Sequence, residues 1–394
     1  MAFMAKRLNF QKYLFLILLL AFSLGEVARI QFSNGVAIKA LDAAVFIFVI
    51  SSIVFLRKGF KSPNLTKPIV IFSFVAGVSL LVNFINLEAS ERFVSFLYLL
   101  RWIMYAGVYL VVANFDSKLK RDVYNFLIAL GGIVLSLGFI QYFFYTDLRN
   151  LYYLGWDEHL YRLFSIFLDP NFAGAFFVLY FLFVLGLFLK NKKLTYGVIL
   201  ALTFTAIILT FSRSAYLMFF AGLLTFSCAV GKKKIIVGFT LFFAGAIVVA
   251  SLVGFRSEGT NLLRTASSLA RLDTAQNALI IFEKNPVVGV GFNAYKYASK
   301  RYGLVEESRY DNHSAAGTDN SFLFVLATTG ILGFAAYLYL WFKILSLAKS
   351  GKSVYSAILL SSSVALFVGS LFINSLFYTF IMLWMWIILG LSED

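Results

Sequence analysis

The stretch NPVVGVGF (285–292), followed by GTDNS (317–321) and TGILG (329–333), ends the one long part of the chain that is not uniformly apolar, residues 255–333. Runs of about 20 apolar residues lie on both sides of it, which is the length a helix needs to cross a bilayer core of roughly 30 Å. The remaining sequence therefore predicts a scaffold that holds this stretch. The function of the stretch depends on which side of a membrane it faces.

Composition places the chain among membrane proteins. Its 394 residues are 61% hydrophobic and 13% charged, with a mean hydropathy of +0.85, whereas soluble domains are about 45–50% apolar and about 25% charged. The net charge of +15 is spread over short clusters between apolar runs, which argues against a basic face for nucleic acid. Cys228 lies inside an apolar run, so neither a disulfide framework nor a cysteine metal site is expected.

The apolar runs predict an all-α polytopic membrane protein with about twelve transmembrane helices. The first run lacks a small-x-small cleavage site and further spans follow, so we interpret it as a helix rather than a signal peptide. No repeat or low-complexity linker divides the chain, which predicts a single integral membrane domain over 1–394. The predicted spans are 12–31, 36–56, 68–86, 93–114, 122–146, 170–190, 194–211, 213–230, 235–254, 320–342, 354–373 and 375–391.

Basic residues predict the orientation. Every second connection is rich in them, from Lys6 and Arg7 at the N-terminus to Lys349 and Lys352 before the penultimate span. Cytoplasmic loops retain Lys and Arg, so both termini are expected to be cytoplasmic. The loop 255–319 then lies on the external side of the plasma (inner) membrane.

Lysine and arginine are distributed differently between the two sides. The predicted cytoplasmic connections hold sixteen Lys and three Arg, and the remaining basic residues are four Lys and eleven Arg. Retention of positive charge does not distinguish the two residues, whereas arginine is suited to bidentate contact with phosphate or carboxylate. This favours an external, arginine-lined site for an anionic substrate, although pairing with nearby acids would explain individual arginines. Arg101, in mid-span, must face the bundle interior or a water cavity.

Two short clusters contribute candidate ligand contacts. Arg162 precedes the turn DPN (169–171), where Asp169 and Asn171 are either helix caps or, in the case of Asn171, a substrate contact. Arg213 stands between two serines at a tight turn between spans, and either snorkels to the membrane surface or contacts phosphate or sugar.

The large loop supplies the other candidates. Apolar residues at three- and four-residue spacing, Leu272 and Leu279 among them, predict an amphipathic helix over 261–284. Arg264 and Arg271 fall on one side of it, either solvated or aimed at the bundle mouth. Gly289 and Gly291 permit a tight turn or a close backbone approach to a ligand, and they lack the strand context of a dinucleotide fingerprint.

His313 and Asp319 are the candidates for a general base. His313 lies in a polar segment and would otherwise be a solvated loop residue, whereas Asp319 stands at the lip of a span, where partial burial raises a carboxyl pKa. N-capping of that span is the alternative role of Asp319. The histidines and acids show no metal-ligand spacing, and no cofactor is expected.

In these segments the chain resembles the O-antigen ligase and O-antigen polymerase family of the bacterial envelope. The resemblance covers roughly residues 160–390. It rests on Arg162 with DPN (169–171), LTFSRS (209–214), Arg271 with NPVVGVG (285–291), and DNSFL (319–323) with TGILG (329–333), in that order around one external loop.

The resemblance implies a GT-C-like enzyme that transfers or polymerises a glycan from a polyprenyl (undecaprenyl) pyrophosphate carrier. The acceptor would be a sugar hydroxyl of a glycan or glycolipid, such as the lipid A core of lipopolysaccharide, and the reaction would be inverting and metal-independent. It implies Arg213 and Arg271 on pyrophosphate, Arg162 and Arg264 as supporting contacts, and Asn320 orienting a sugar.

The chain departs from the ligase pattern at one position. Where ligases place a histidine before an asparagine, this sequence has Asp319 before Asn320, which shifts the expectation toward a polymerase-like member with Asp319 as base. A flippase for lipid-linked oligosaccharide is the alternative from another class, although transporters usually show paired halves. A non-catalytic scaffold would leave the distribution of arginine unexplained.

Overall fold

A computed structural model describes residues 2–32, 36–56, 60–149, 151, 159–232, 234, 237–240, 245, 258–262, 265–305, 317–351 and 353–393. The described chain is helical almost throughout, apart from an antiparallel hairpin that pairs Ile30 with Ile38. The elements are α1 (Ala2–Ser23), β1 (Arg29–Gln31), β2 (Ala37–Lys39), α2 (Ala40–Leu56), α3 (Thr66–Val82), α4 (Ala89–Ala113), α5 (Ser117–Phe144), α6 (Pro170–Asn191), α7 (Leu194–Leu209), α8 (Arg213–Ala229), α9 (Ala266–Lys284), α10 (Tyr295–Arg301), α11 (Ser321–Ser350), α12 (Val354–Gly369) and α13 (Thr379–Leu391).

The predicted all-helical membrane class is confirmed. Four described helices, α4, α5, α6 and α11, are long and apolar enough to cross a membrane, and seven shorter apolar helices accompany them. The predicted span 235–254 lies largely outside the described residues, so the number of twelve spans stays a prediction. The single domain and the GT-C-like class stay predictions as well.

Helix α6 forms the centre of the bundle. Its side chains from Ala173 to Leu187 are buried, as expected for a helix that is apolar on all sides. It packs against α7, α8 and α12. The start of α6, which contains the DPN turn, is therefore held in place by helices on several sides.

Helix α11 is broken at Gly330, and a separate segment completes its hydrogen bonds. Gly330 has φ 64° and ψ −167°, a conformation that is essentially restricted to glycine. The carbonyls of Ala327 and Thr328 accept bonds from the N–H groups of Val290 (3.2 Å) and Gly291 (3.0 Å). In return, the N–H groups of residues 331 and 332 donate to the carbonyls of residues 286 (2.9 Å) and 287 (3.3 Å).

These four bonds replace the two that an unbroken helix would make from residues 331 and 332 to residues 327 and 328. The segment NPVVGVG (285–291) is thus inserted into the backbone of α11. Irregular backbone at this depth is tolerated where protein satisfies its polar groups. Because α9 ends at Lys284, the insertion also anchors α9 against the bundle.

Helix α9 confirms the helix predicted within 261–284, but it packs through a different face from the one that the sequence pattern suggested. Leu272 and Leu279, which set that pattern, are 59% and 42% exposed, whereas Ala278 and Ile281 are buried. Arg271 is half-buried and lies seven residues, about two helical turns, before Ala278. The expectation that the leucines pack was wrong, because α9 packs against the bundle through Ala278 and Ile281, which lie in one buried cluster with Val290 and Phe324.

Candidate functional site

Three helices begin at one end of the bundle, and each start is capped by a polar side chain. The Asp169 carboxylate accepts a bond from the N–H of Asn171 at 2.6 Å and caps α6. Ser212 caps α8 through the N–H of residue 215 at 3.4 Å. The Asn320 carbonyl oxygen accepts from the N–H groups of residues 322 and 323, at 2.9 and 3.0 Å, and caps α11. Helix N-termini carry partial positive charge, so this end of the bundle favours anions.

Arg162 is a buried cation that ties the chain before α6 to the turn between α7 and α8. Its side chain is 4% exposed, and its guanidinium donates to the carbonyls of Thr210 at 2.8 Å and Phe211 at 3.3 Å. Phe211 has a positive φ of 47°, which turns the backbone at this point. The Arg162 charge also acts on the carboxyl of Asp169, so both groups lie at the same site.

Asn171 and Ser212 connect the starts of α6 and α8. The Ser212 hydroxyl donates to the amide oxygen of Asn171 at 2.9 Å and lies 3.1 Å from the hydroxyl of Ser214. The Asn171 amide nitrogen is not used in that bond. The capping alternative is therefore correct for Asp169, whereas the Asn171 side chain joins two helix starts.

Arg213, at the start of α8, reaches across to α9. One nitrogen of its guanidinium donates to the hydroxyls of Ser267 at 2.6 Å and Ser268 at 3.0 Å, both in the first turn of α9. Its charge acts on Arg271. The structure thus brings two guanidinium groups from α8 and α9 to one place, which costs free energy unless an anion balances them.

Arg271 and Asp319 face each other without forming a salt bridge. Within the described residues, neither the guanidinium nor the carboxylate has a hydrogen-bond partner, yet each shifts the pKa of the other. Burial lowers the pKa of Arg271, and the charges of Asp319 and Asp169 oppose this. Both side chains are half-buried. They therefore present a partly exposed cation and a partly exposed carboxylate, whose charges act on each other, to a ligand.

Asp319 has the properties expected of a general base. Burial raises the pKa of its carboxyl, Arg271 lowers it, and the charge of Asp169 raises it. The carboxyl is not used for capping, because Asn320 caps α11 instead. The Asp319 charge also raises the pKa of Tyr295, which burial already moves upward, to about 12. The alternative role of Asp319 as an N-cap is thus wrong.

Gly289 and Gly291 have a packing role. A side chain at Gly289 would overlap the carbonyl of Thr328, and both glycines have positive φ, 68° and 103°. The amide nitrogen of Asn83 donates to the Gly289 carbonyl at 2.9 Å. Their conformations follow from insertion into α11, and their predicted contact with substrate stays a prediction.

Other predicted external arginines have structural partners. Arg92 donates to the Leu87 carbonyl at 2.6 Å, and Arg149 pairs with Asp147 at 2.7 Å. Arg101 faces the bundle interior, as expected, and pairs with Asp42 at 2.8 Å. Pairing within the protein thus explains these three, and Arg162, Arg213 and Arg271 form the site. Arg264 and His313 lie outside the described residues, so their roles stay predictions.

Asp169 is the site residue whose role sequence reasoning missed. Capping explained it locally, but its carboxyl, whose pKa burial raises, also lies near Arg162 and Arg271. The DPN turn was the feature of the sequence that could have indicated this role.

In the part of the chain that the structure describes, no group of three or more His, Cys, Asp or Glu side chains lies together as for a metal ion.

A comparison with protein families matches residues 198–338 to the O-antigen ligase family. The match includes Arg213, Arg271, Gly289, Gly291, Asp319 and Asn320, whereas Arg162 and Asn171 precede it. A search of curated proteins found no match to the chain. Residues 198–338 thus match the O-antigen ligase family, and this match confirms the resemblance to the O-antigen ligases and polymerases that the sequence predicted.

Proposed function

We propose that the protein transfers or polymerises a glycan from a polyprenyl (undecaprenyl) pyrophosphate carrier onto a sugar hydroxyl of an acceptor glycan or glycolipid. The observation that carries this proposal is the proximity of Arg271 and Asp319, whose charges act on each other. Among the described residues, neither side chain has a hydrogen-bond partner, and the charge of Arg213 also acts on Arg271. The match to a family of glycan-transferring membrane proteins agrees with this reaction. A site with both an anion-binding side and a basic side agrees with it as well.

The cationic side of the site binds the pyrophosphate. Arg213 begins α8 and Arg271 lies in the second turn of α9, and guanidinium groups and helix N-termini both attract phosphate oxygens. Negative charge grows on the leaving pyrophosphate as the bond from the sugar C1 to the phosphate oxygen breaks. Preorganised cations stabilise this charge without a metal ion.

The carboxylate side of the site activates the acceptor. Asp319 takes the proton of the acceptor hydroxyl while its oxygen forms the new bond to C1, and the electron pair of the broken bond stays with the pyrophosphate. Attack from the face opposite the leaving group inverts C1. A raised pKa suits this role because a stronger base accepts the proton more readily near neutral pH.

The site faces the external side in this proposal. The start of α5, the α6–α7 connection and the end of α11 carry Lys118, Lys192 and Lys349, and all three lie at the ends of their helices away from the site. Cytoplasmic ends retain lysine. In a Cys228→Ser background, Thr265→Cys should react with impermeant maleimide added outside cells, and Lys192→Cys only after permeabilisation. The reverse pattern would exclude an external site.

Reconstitution with a fluorescent polyprenyl pyrophosphate glycan tests the reaction. Proteoliposomes should form a new glycosidic bond and release the carrier pyrophosphate. Arg271→Ala and Asp319→Asn should lower the rate by about 10²–10⁴-fold, the range of a lost acid–base group. Arg149→Ala, which removes an exposed arginine paired with Asp147, is the matched control. Movement of the glycolipid between leaflets without any new bond would instead favour a flippase.

A further inference from the structure

A stacked pair of aromatic rings borders the site beside the DPN turn. The rings of Phe172 and Tyr378 lie with centroids 3.8 Å apart and planes 12° apart. Phe172 occupies the first turn of α6, directly after Asn171, and Tyr378 immediately precedes α13. Both side chains are half-buried, and in the described part of the chain no second aromatic ring contacts Phe172. One face of the Phe172 ring is thus covered by Tyr378.

Tyr378 is held rigidly from behind. The ammonium of Lys39 lies 5.0 Å from the centre of its ring. That lysine is fixed by Glu26 at 2.6 Å and by the hydroxyl of Thr379 at 3.0 Å. The Tyr378 hydroxyl donates to the carbonyl of Phe167 at 3.3 Å. A cation over the ring, a stacked neighbouring ring and a hydrogen bond from the hydroxyl together restrict the orientation of Tyr378.

The neighbours of the pair are those of the proposed catalytic site. The charges of Glu26 and Asp169 act on the Tyr378 hydroxyl. Asp169 and Asn171 belong to the same helix start as Phe172. The aromatic pair and the hydrogen-bonding residues of the site therefore share one end of α6.

We propose that Phe172, supported by Tyr378, is a stacking platform for a pyranose ring of the glycan. This inference rests on the proposed function. A pyranose has one face of C–H bonds, whose partial positive charge suits the negative face of an aromatic ring, and a rim of hydroxyls that suits Asp169 and Asn171. A polyprenyl chain lacks that rim, so the polar neighbours favour the sugar.

Binding measurements with two lipids test the platform. Phe172→Leu keeps an apolar side chain but removes the ring, and Phe172→Tyr keeps the ring. Phe172→Leu should weaken binding of the glycan-loaded polyprenyl pyrophosphate, or raise the KM for the acceptor, by roughly three- to ten-fold. Its affinity for sugar-free polyprenyl pyrophosphate should change less than two-fold, and Phe172→Tyr should match the wild type. Phe143→Leu, which alters an exposed ring of α5 (69% exposed), is the control.

Two outcomes would overturn the platform. In one, Phe172→Leu weakens both lipids equally, which indicates a structural role; in the other, it changes neither affinity nor KM. The proposed function fails separately, through a wild-type protein that binds the glycolipid but forms no glycosidic bond. In that case, a sugar-dependent loss of binding in Phe172→Leu would still support the platform.

Discussion

Alanine at Gly330 should uncouple the inserted segment from α11. Gly330 has a φ of 64° and a ψ of −167°, a conformation that costs a residue with a Cβ about 1–3 kcal/mol. The added Cβ would also overlap the Val287 carbonyl. Alanine can escape by closing the helix, because the N–H groups of residues 331 and 332 can return to the carbonyls of residues 327 and 328. That closure leaves the N–H groups of Val290 and Gly291 without their acceptors, at about 1–3 kcal/mol each if they stay buried.

Either route predicts a loss of roughly 2–4 kcal/mol in the free energy of unfolding, a large part of a typical stability of about 5–15 kcal/mol. Unfolding of the purified protein in detergent measures this loss of stability. Transfer activity should fall as well, because the segment anchors α9, which carries Arg271. Gly132→Ala is the matched control, since a Cβ there meets nothing within 4 Å and alanine stabilises a helix interior by up to about 1 kcal/mol. Unfolding of Gly330→Ala at the wild-type midpoint would refute the role assigned to the break.

Three further changes probe the site and its support. Arg271→Lys keeps the charge but loses the planar fork that binds phosphate oxygens in pairs, so its affinity for polyprenyl pyrophosphate should fall about ten-fold or more; unchanged affinity would place the pyrophosphate elsewhere. Asp169→Asn keeps a good helix cap but removes a charge that raises the pKa of Asp319. The pKa of that base then falls, so the loss of transfer rate on acidification should move to lower pH, and an unmoved profile would argue against Asp319 as base. Lys39→Met leaves the buried Glu26 carboxylate unpaired and should destabilise the protein by about 3–5 kcal/mol, as measured by thermal unfolding. Adding Glu26→Gln should recover most of this stability. No recovery would show that the loss is not electrostatic.

The site shows where sequence reasoning sufficed and where it did not. Arg213 and Arg271 stood out because arginine is concentrated in the connections without lysine clusters, and the charges of the two act on each other in the structure. The same reasoning also included Arg92, Arg101 and Arg149, because composition cannot show which arginines have partners. Arg92 and Arg149 contact nearby residues in the sequence, whereas Arg101 contacts Asp42, 59 positions away.

Local alternatives at the helix starts could only be decided in three dimensions. Asp319 and Asn320 are adjacent, both are good N-caps, and the backbone geometry that gives the cap to Asn320 depends on its packing against the end of α12, where its amide donates to the Leu371 carbonyl at 3.2 Å. That choice leaves the Asp319 carboxylate available as a base.

The sequence by itself determined that this is an all-helical membrane protein and which family its central domain resembles, because apolar run length and short motifs are local properties. Only the tertiary structure decided that NPVVGVG (285–291) completes a broken helix, that α9 turns its leucines outward, and that Asp169 and the Phe172–Tyr378 pair join the site. These features depend on backbone hydrogen bonds and burial between segments far apart in the chain, and no local pattern of residues specifies such partners.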